Sequence, residues 1–113
     1  MFNLNLFGTK EGNIDADKFD ELIKLDYMII DIRTPEEHYQ SRIDGAKLMN
    51  FYDPSFKREV EKLNKEGKYV IYCRSGSRSN IALSIFKKAG IKNVFHLSGG
   101  ILSWHRAGKP IVN

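Results

Sequence analysis

At 113 residues the chain has room for one hydrophobic core, so we expect a single domain spanning residues 1–113. Hydrophobic and charged fractions of 42% and 28% are typical of globular proteins and disfavour extended disorder, and no apolar run approaches the roughly 18 residues that a membrane-spanning helix needs. The net charge of +4 comes from scattered lysines and arginines, which disfavours a nucleic-acid partner and modestly favours anionic substrates.

The first residues, 1–8, alternate between apolar and polar types and predict an opening strand. They lack the basic region and the long apolar stretch of a secretory signal. Cys73 is the only cysteine, so no disulfide can form within the chain, and an unpaired thiol fits a reducing compartment best. We therefore expect the protein in the cytoplasm.

A helix and a buried strand are predicted next. Asp15 is a good N-cap, and Ile14 and Phe19 have the spacing of a hydrophobic staple, which predicts a helix beginning there. The continuous apolar run 27–30 then predicts a strand covered on both faces, as in a parallel sheet.

Residues 34–37, Thr-Pro-Glu-Glu, form a capping box with proline at the first helical position and predict a short helix directly after that strand. Asp31 and Arg33 thus lie at the carboxyl end of a strand, the edge where open α/β sheets bind ligands. Two interpretations remain open. Either Arg33 pairs with one of the two glutamates and stabilises the turn, or Asp31 anchors Arg78 beneath a binding loop.

The rest of the chain alternates between strands and helices. The predicted elements are strands 46–49, 69–72 and 93–97, a helix after Asp53-Pro54 with Phe56, Val60 and Leu63 on its buried face and Gly67 at its end, a helix from Ser79 to Ala89 before Gly90, and a last helix that contains Trp104. This alternation predicts an α/β fold with a mainly parallel sheet between layers of helices.

Cys73 directly follows the apolar run 69–72 and is followed by small and basic residues and then by a predicted helix. The free N–H groups and partial positive charge of a helix start stabilise an anion, and Arg74 and Arg78 add full charges. Such surroundings favour a thiolate over a thiol.

The loop also has the composition of an anion-binding nest. Gly76 permits a positive φ, and Ser75 and Ser77 are small, so successive backbone N–H groups can turn inward. Against this, a lone cysteine at a strand end is most often an inert, buried small hydrophobe, and the arginines could be solvated surface charges. Two arginines and a glycine within five residues favour the reactive interpretation.

Three motifs occur in the order in which one enzyme family has them. In chain order they are residues 31–37 followed by Ile43-Asp44-Gly45-Ala46, then Cys73-x-x-Gly76-x-Arg78, and last Leu97-Ser98-Gly99-Gly100 through Trp104 to Gly108-Lys109-Pro110. These residues resemble the rhodanese family, the sulfurtransferases that carry a persulfide on this cysteine. Ser41-Arg42 departs from the family's usual Gly-His pair, and Asp44 stands where proline is common, which affects the expected turn geometry there.

The resemblance implies a three-layer α/β/α sandwich with a mainly parallel central sheet, and an enzyme of the thiosulfate sulfurtransferase type without metal or other cofactor. Cys73 would take sulfur from thiosulfate or a persulfide donor and pass it to a thiol, to cyanide or to a protein acceptor. The resemblance also implies a substrate-binding loop, with Asp31 and Arg33 in support; the loop residues are Arg74, Ser75, Gly76, Ser77 and Arg78.

Other functions stay open. A sulfur-relay or regulatory module that receives persulfide from a partner protein fits the same residues. A cysteine-based phosphatase or arsenate reductase is less favoured, because those families have five residues between cysteine and arginine, whereas four separate Cys73 from Arg78.

The three histidines, His38, His96 and His105, lack the spacing of metal ligands, and we expect them to be exposed or to serve packing. The pair Gly99-Gly100 lacks the spaced glycines of a phosphate-binding fingerprint.

Overall fold

The computed structural model describes residues 12–113, and in that range the chain forms a five-stranded sheet with helices on both faces. The strand predicted over residues 1–8 lies outside the described residues. In chain order the elements are β1 (Asn13–Ile14), α1 (Ala16–Lys24), β2 (Met28–Asp31), α2 (Pro35–Gln40), β3 (Lys47–Leu48), α3 (Phe56–Glu61), β4 (Tyr69–Tyr72), α4 (Ser77–Lys88), β5 (Val94–Leu97) and α5 (Gly100–Arg106).

The strands lie in the order β1-β5-β4-β2-β3, and each neighbouring pair is parallel. All four residues of the central strand β4 are buried, which explains why its sequence is apolar without alternation. Its neighbours align with it in register, so that Ile30 of β2 and His96 of β5 both lie beside Ile71. The carboxyl ends of β2, β4 and β5 therefore meet at one edge of the sheet, and the predicted parallel sheet is confirmed.

Successive side chains of β4 enter two apolar cores, one on each face of the sheet. Val70 and Tyr72 pack with α1 and α5, whereas Tyr69 and Ile71 pack with α3 and α4. The helices contribute buried side chains to these cores: Phe19, Leu22, Ile101 and Trp104 to the first, and Phe56, Val60, Ala82, Leu83 and Phe86 to the second. Burying each large apolar side chain contributes roughly 1.5 to 3 kcal/mol. The predicted three-layer sandwich is confirmed.

Two helix starts are where the capping residues predict them. The Asp15 carboxylate accepts a hydrogen bond from the Lys18 backbone N–H at 2.9 Å at the start of α1. Thr34 and Glu37 form the predicted capping box at the start of α2.

No helix within residues 12–113 combines the length and apolarity that crossing a bilayer requires.

The predicted bounds of α3 are wrong at both ends. The helix begins after Ser55 rather than after Asp53 and ends well before Gly67. The Asp53 carboxylate accepts hydrogen bonds from the backbone N–H and the hydroxyl of Ser55, at 2.8 and 2.7 Å, and so closes a local turn instead of capping the helix.

Candidate active site

Cys73 directly follows the central strand, and α4 begins at Ser77, two residues earlier than predicted. Gly76 sets that start, because its φ of 103° lies in the left-handed region that residues with a Cβ rarely adopt. The loop between strand and helix is therefore short, and the first turn of α4 lies against the sulfur.

Backbone N–H groups point at the Cys73 sulfur. The Gly76 N–H donates to Sγ at 3.1 Å, and the Ser79 N–H donates at 3.4 Å. N–H groups in the first turn of a helix have no partner within the helix, and with the helix dipole they stabilise a negatively charged acceptor. Of the loop residues whose N–H groups are predicted to turn inward, Gly76 donates to the sulfur, whereas the second donor, Ser79, lies in α4.

The sulfur itself is buried, as the inert interpretation expects. Cys73 has 0% of its surface exposed and belongs to the core between the sheet and α3 and α4. The loop that covers it is exposed at Arg74, Ser75 and Ser77. An inert cysteine packs among carbon atoms, whereas this sulfur accepts two hydrogen bonds, so it forms a polar site just beneath the surface. A reagent reaches Sγ only if the covering loop moves.

Arg78 does not pair with Asp31, which corrects one of the two interpretations left open above. Its guanidinium forms two parallel hydrogen bonds with the Glu37 carboxylate, at 2.8 and 3.0 Å, and lies 5.5 Å from the centre of the Tyr52 ring. The hydrogen bond from Arg78 lowers the pKa of Glu37 to about 2, and the same contact raises the pKa of Arg78. Arg74, in contrast, is exposed and forms no ion pair with any residue in the range 12–113.

Arg33 does not pair with either glutamate, which corrects the other interpretation. Its Nε and Nη2 donate to the two oxygens of Asp31, at 2.9 and 2.7 Å. His38 Nδ1 and the Tyr72 hydroxyl also contact the Asp31 carboxylate, at 2.9 and 3.1 Å. Burial opposes the charge on Arg33, but its hydrogen bonds with Asp31 raise its pKa overall, whereas burial raises the pKa of Tyr72. Asp31 and Arg33 thus form a buried network that joins the ends of β2 and β4 to α2.

The first turn of α5 packs closely against the sulfur loop at Gly100, the second glycine of the Gly99-Gly100 pair. The N–H groups of Ile101 and Leu102 donate to the carbonyl oxygens of Cys73 and Arg74, at 2.9 and 3.2 Å. Gly100 has a φ of 62°, and a Cβ added there would lie 2.3 Å from the Arg74 oxygen. Only glycine allows α5 to approach the loop this closely.

Sequence analysis missed Ser79 and His96. Both are buried, with 0% and 4% exposure, and the Ser79 hydroxyl lies 2.9 Å from His96 Nδ1 and 3.6 Å from Cys73 Sγ. Ser79 could have been suspected, because a hydroxyl in the first turn after the loop lies close to its cysteine. His96 gives no such signal, since its place depends on the register of β5 beside β4.

Among the described residues, no three His, Cys, Asp or Glu side chains group as metal ligands.

Two of the cavities bear on the position of the sulfur loop. One of about 260 Å³ is open to the loop and is lined by Ser75, Gly76, Ser77, Asn80, His96, Ser98, Gly99 and Asn13. A larger one of about 470 Å³ lies between β3 and α3, and Cys73 does not line it. The smaller cavity is the one that adjoins the sulfur loop.

Known proteins are similar to this chain in sequence. A sulfurtransferase of Allochromatium vinosum is 38% identical over 87 residues, which cover 77% of this chain and 79% of that protein. The probable adenylyltransferase/sulfurtransferase MoeZ of Mycobacterium tuberculosis is 38% identical over 82 residues, which cover 73% of this chain but only 21% of MoeZ.

A solved structure and a family model give the same result. The crystal structure of a rhodanese-related protein from Thermoplasma volcanium superposes with a TM-score of 0.79 at 29% identity, covering 88% of this chain and 96% of that one. The model of the rhodanese-like domain matches residues 15–107. The chain therefore belongs to the rhodanese-like family.

Proposed function

We propose that this protein is a sulfurtransferase that carries sulfur as a persulfide on Cys73. The observation that carries the proposal is the pair of backbone N–H groups, from Gly76 and Ser79, that point at Sγ from 3.1 and 3.4 Å. Donors in this position stabilise the thiolate that attacks the sulfur donor, and they stabilise it again when Cys73 is the leaving group in the transfer to the acceptor. The sulfurtransferase of A. vinosum, which is similar over most of both chains, supports the same chemistry.

The reaction that we propose has two displacement steps. The Cys73 thiolate attacks the outer sulfur of thiosulfate, the S–S bond of thiosulfate breaks, and sulfite leaves with the bonding electron pair. An acceptor thiolate or cyanide then attacks the outer sulfur of the persulfide, and Cys73 leaves as a thiolate. Arg74, which is exposed beside the loop, would stabilise the departing sulfite.

The contacts of Arg78 favour sulfur over phosphate as the ligand of the loop. A phosphatase would need this guanidinium to bind the substrate, because bidentate arginine is a strong ligand of phosphate oxygens. Here both of its terminal nitrogens donate to Glu37. The Glu37 carboxylate thus partly neutralises the charge that would attract a phosphate.

Intact mass spectrometry tests the proposal directly. After incubation with thiosulfate and desalting, we expect the protein to be heavier by one sulfur atom, and we expect cyanide to restore the original mass. The Cys73→Ser variant should gain nothing. If the wild-type mass stays unchanged while iodoacetamide alkylates Cys73 in the folded protein, sulfur transfer by this route is excluded.

A sulfur-relay module that receives persulfide from a partner protein is the second candidate. The burial of Cys73 favours it, and so does the similarity to a segment that makes up 21% of the longer MoeZ. Steady turnover of thiosulfate with cyanide should be compared with loading from a protein persulfide. Fast turnover of the small molecules would exclude the relay role, and loading by the protein donor alone would support it.

The only cysteine also needs a compartment that keeps it reduced. We propose the cytoplasm, and cell fractionation with an antibody against the protein would contradict this if the protein were found with secreted or periplasmic markers.

A further inference from the structure

The Ser79 hydroxyl lies between the Cys73 sulfur and the buried side chain of His96. Ser79 Oγ lies 3.6 Å from Cys73 Sγ and 2.9 Å from His96 Nδ1. Cys73 and Ser79 have no exposed surface, and His96 is 4% exposed. The fold fixes this geometry, because Cys73 follows β4, Ser79 lies in the first turn of α4, and His96 lies on β5 beside β4.

The hydroxyl between the two end groups can pass a proton. A serine hydroxyl donates one hydrogen bond and accepts through its lone pairs. When Ser79 donates to His96 Nδ1, it can accept the S–H proton of Cys73 at the same time. The Gly76 carbonyl oxygen, 3.3 Å from Ser79 Oγ, is a second acceptor to which Ser79 can donate while Cys73 is protonated.

We propose that Ser79 and His96 form a proton relay that ionises Cys73. This inference rests on the proposed function and assigns a base to it. The S–H proton moves to Ser79 Oγ while the Ser79 proton moves to His96 Nδ1, which leaves a thiolate, a neutral serine and an imidazolium. No electrons are exchanged with any other group. Imidazole suits this role because it accepts and releases protons near neutral pH.

The same path runs backwards at the end of a transfer cycle. When an acceptor removes the outer sulfur, Cys73 leaves as a thiolate, and the imidazolium can return its proton through Ser79. His96 also lines the cavity of about 260 Å³ beside the loop, which gives the relay a route to solvent. Ser79 contacts the reacting sulfur and acts on it directly, whereas His96 acts through Ser79.

Side-chain substitutions can separate proton transfer from packing. Ser79→Ala removes the hydroxyl but keeps the backbone N–H that donates to Sγ. Ser79→Thr restores the hydroxyl. His96→Asn keeps a polar group that can hydrogen-bond with Ser79 but cannot accept a proton near neutral pH. Matched controls are Ser84→Ala on the exposed side of α4 and His105→Asn on the exposed side of α5.

The readout is the fraction of Cys73 present as thiolate at neutral pH, measured by far-ultraviolet thiolate absorbance after subtraction of the Cys73→Ser spectrum. Absorbance does not depend on access of a reagent, and Cys73 is the only cysteine. The rate of alkylation by iodoacetamide is measured in parallel. Because a general base typically contributes about 10²-fold or more, we expect Ser79→Ala and His96→Asn to lose at least about tenfold in alkylation rate and most of the thiolate absorbance. Ser79→Thr and the controls should stay close to wild type.

A wild-type thiolate fraction in Ser79→Ala or in His96→Asn would overturn the relay, and so would a Ser79→Thr variant as impaired as Ser79→Ala. The proposed function can fail separately. If thiosulfate and protein persulfide both leave the mass unchanged while the substitutions still abolish the thiolate, sulfur transfer is excluded and the relay is supported.

Discussion

Arg78 and Glu37 form a two-pronged ion pair that joins the first turn of α4 to α2, with nitrogen–oxygen distances of 2.8 and 3.0 Å. The pair directs both terminal nitrogens of the arginine of the family motif to Glu37 and ties the sulfur loop to the helix that follows β2. Because Glu37 also completes the capping box of α2, one carboxylate serves both a helix start and the loop.

Glu37→Gln should remove the charge of this pair while keeping the capping box, which glutamine also forms. The pKa of Glu37 is lowered from 4.5 to about 2 in the folded protein, so the ion pair stabilises the fold above about pH 4.5 and loses this effect as the pH falls towards about 2. Since Glu37 is partly exposed, we expect the variant to be less stable by only about 1 kcal/mol at neutral pH. Urea unfolding as a function of pH should show the two proteins converging in acid. If the difference in the free energy of unfolding between wild type and Glu37→Gln stayed the same down to the lowest pH, this role of the ion pair would be contradicted.

Gly100→Ala should destabilise the protein by more than about 2 kcal/mol, because a left-handed φ costs about 1 to 2 kcal/mol and the new Cβ also meets the Arg74 carbonyl. Gly108→Ala is a matched control, since Gly108 has a φ of 79° but no atom within 4 Å of the new Cβ. Equilibrium urea unfolding gives both free energies. Equal losses in the two variants would mean that the close approach of α5 to the loop contributes nothing.

Asp31→Asn should cost about 3 to 5 kcal/mol of stability, because it leaves the buried guanidinium of Arg33 without a negative partner. The surface pair of Glu59 with Lys62 provides the comparison, and Glu59→Gln should cost less than about 1 kcal/mol. A small loss in Asp31→Asn would show that the buried network is dispensable for stability.

Arg74→Ala should slow the loading of sulfur from thiosulfate by about tenfold at low salt, because an exposed cation beside a site raises the local concentration of anionic substrates. Alkylation of Cys73 by uncharged iodoacetamide should change little. Lys87→Ala removes the same charge from the other end of α4 and serves as the control. Equal slowing of sulfur loading and of alkylation would point to a distorted loop instead of lost electrostatic attraction.

The sequence predicts those features that depend on neighbouring residues. Asp15 and the Thr34–Glu37 box contain the hydrogen-bond donors and acceptors that start their helices, so the starts of α1 and α2 can be read locally. The same reasoning misplaces α3, because Asp53 has a second local partner in Ser55.

The pairing of charged side chains is not predicted correctly, even for Asp31 and Arg33, which are two residues apart. Asp31, Arg33 and Arg78 all lie at the expected edge of the sheet, but neither expected pairing, Arg33 with a glutamate or Asp31 with Arg78, is formed. Several carboxylates and guanidinium groups lie there, so the sequence allows more than one set of ion pairs, and only the distances in the structure distinguish them. The contact of Ser79 with His96 was missed for a related reason, since it depends on how β5 aligns with β4.

The two hydrogen bonds that α5 donates to the Cys73 and Arg74 carbonyls fix the direction of the peptide dipoles in the sulfur loop. In a trans peptide unit the C=O and the N–H point in opposite directions, and residues 12–113 contain no cis peptide bond. Holding these two oxygens against α5 therefore turns the N–H groups of Arg74 and Ser75 away from it. The C-terminal motif thereby prevents these peptide planes from flipping, and it decides which side of the loop presents positive charge to an arriving anion.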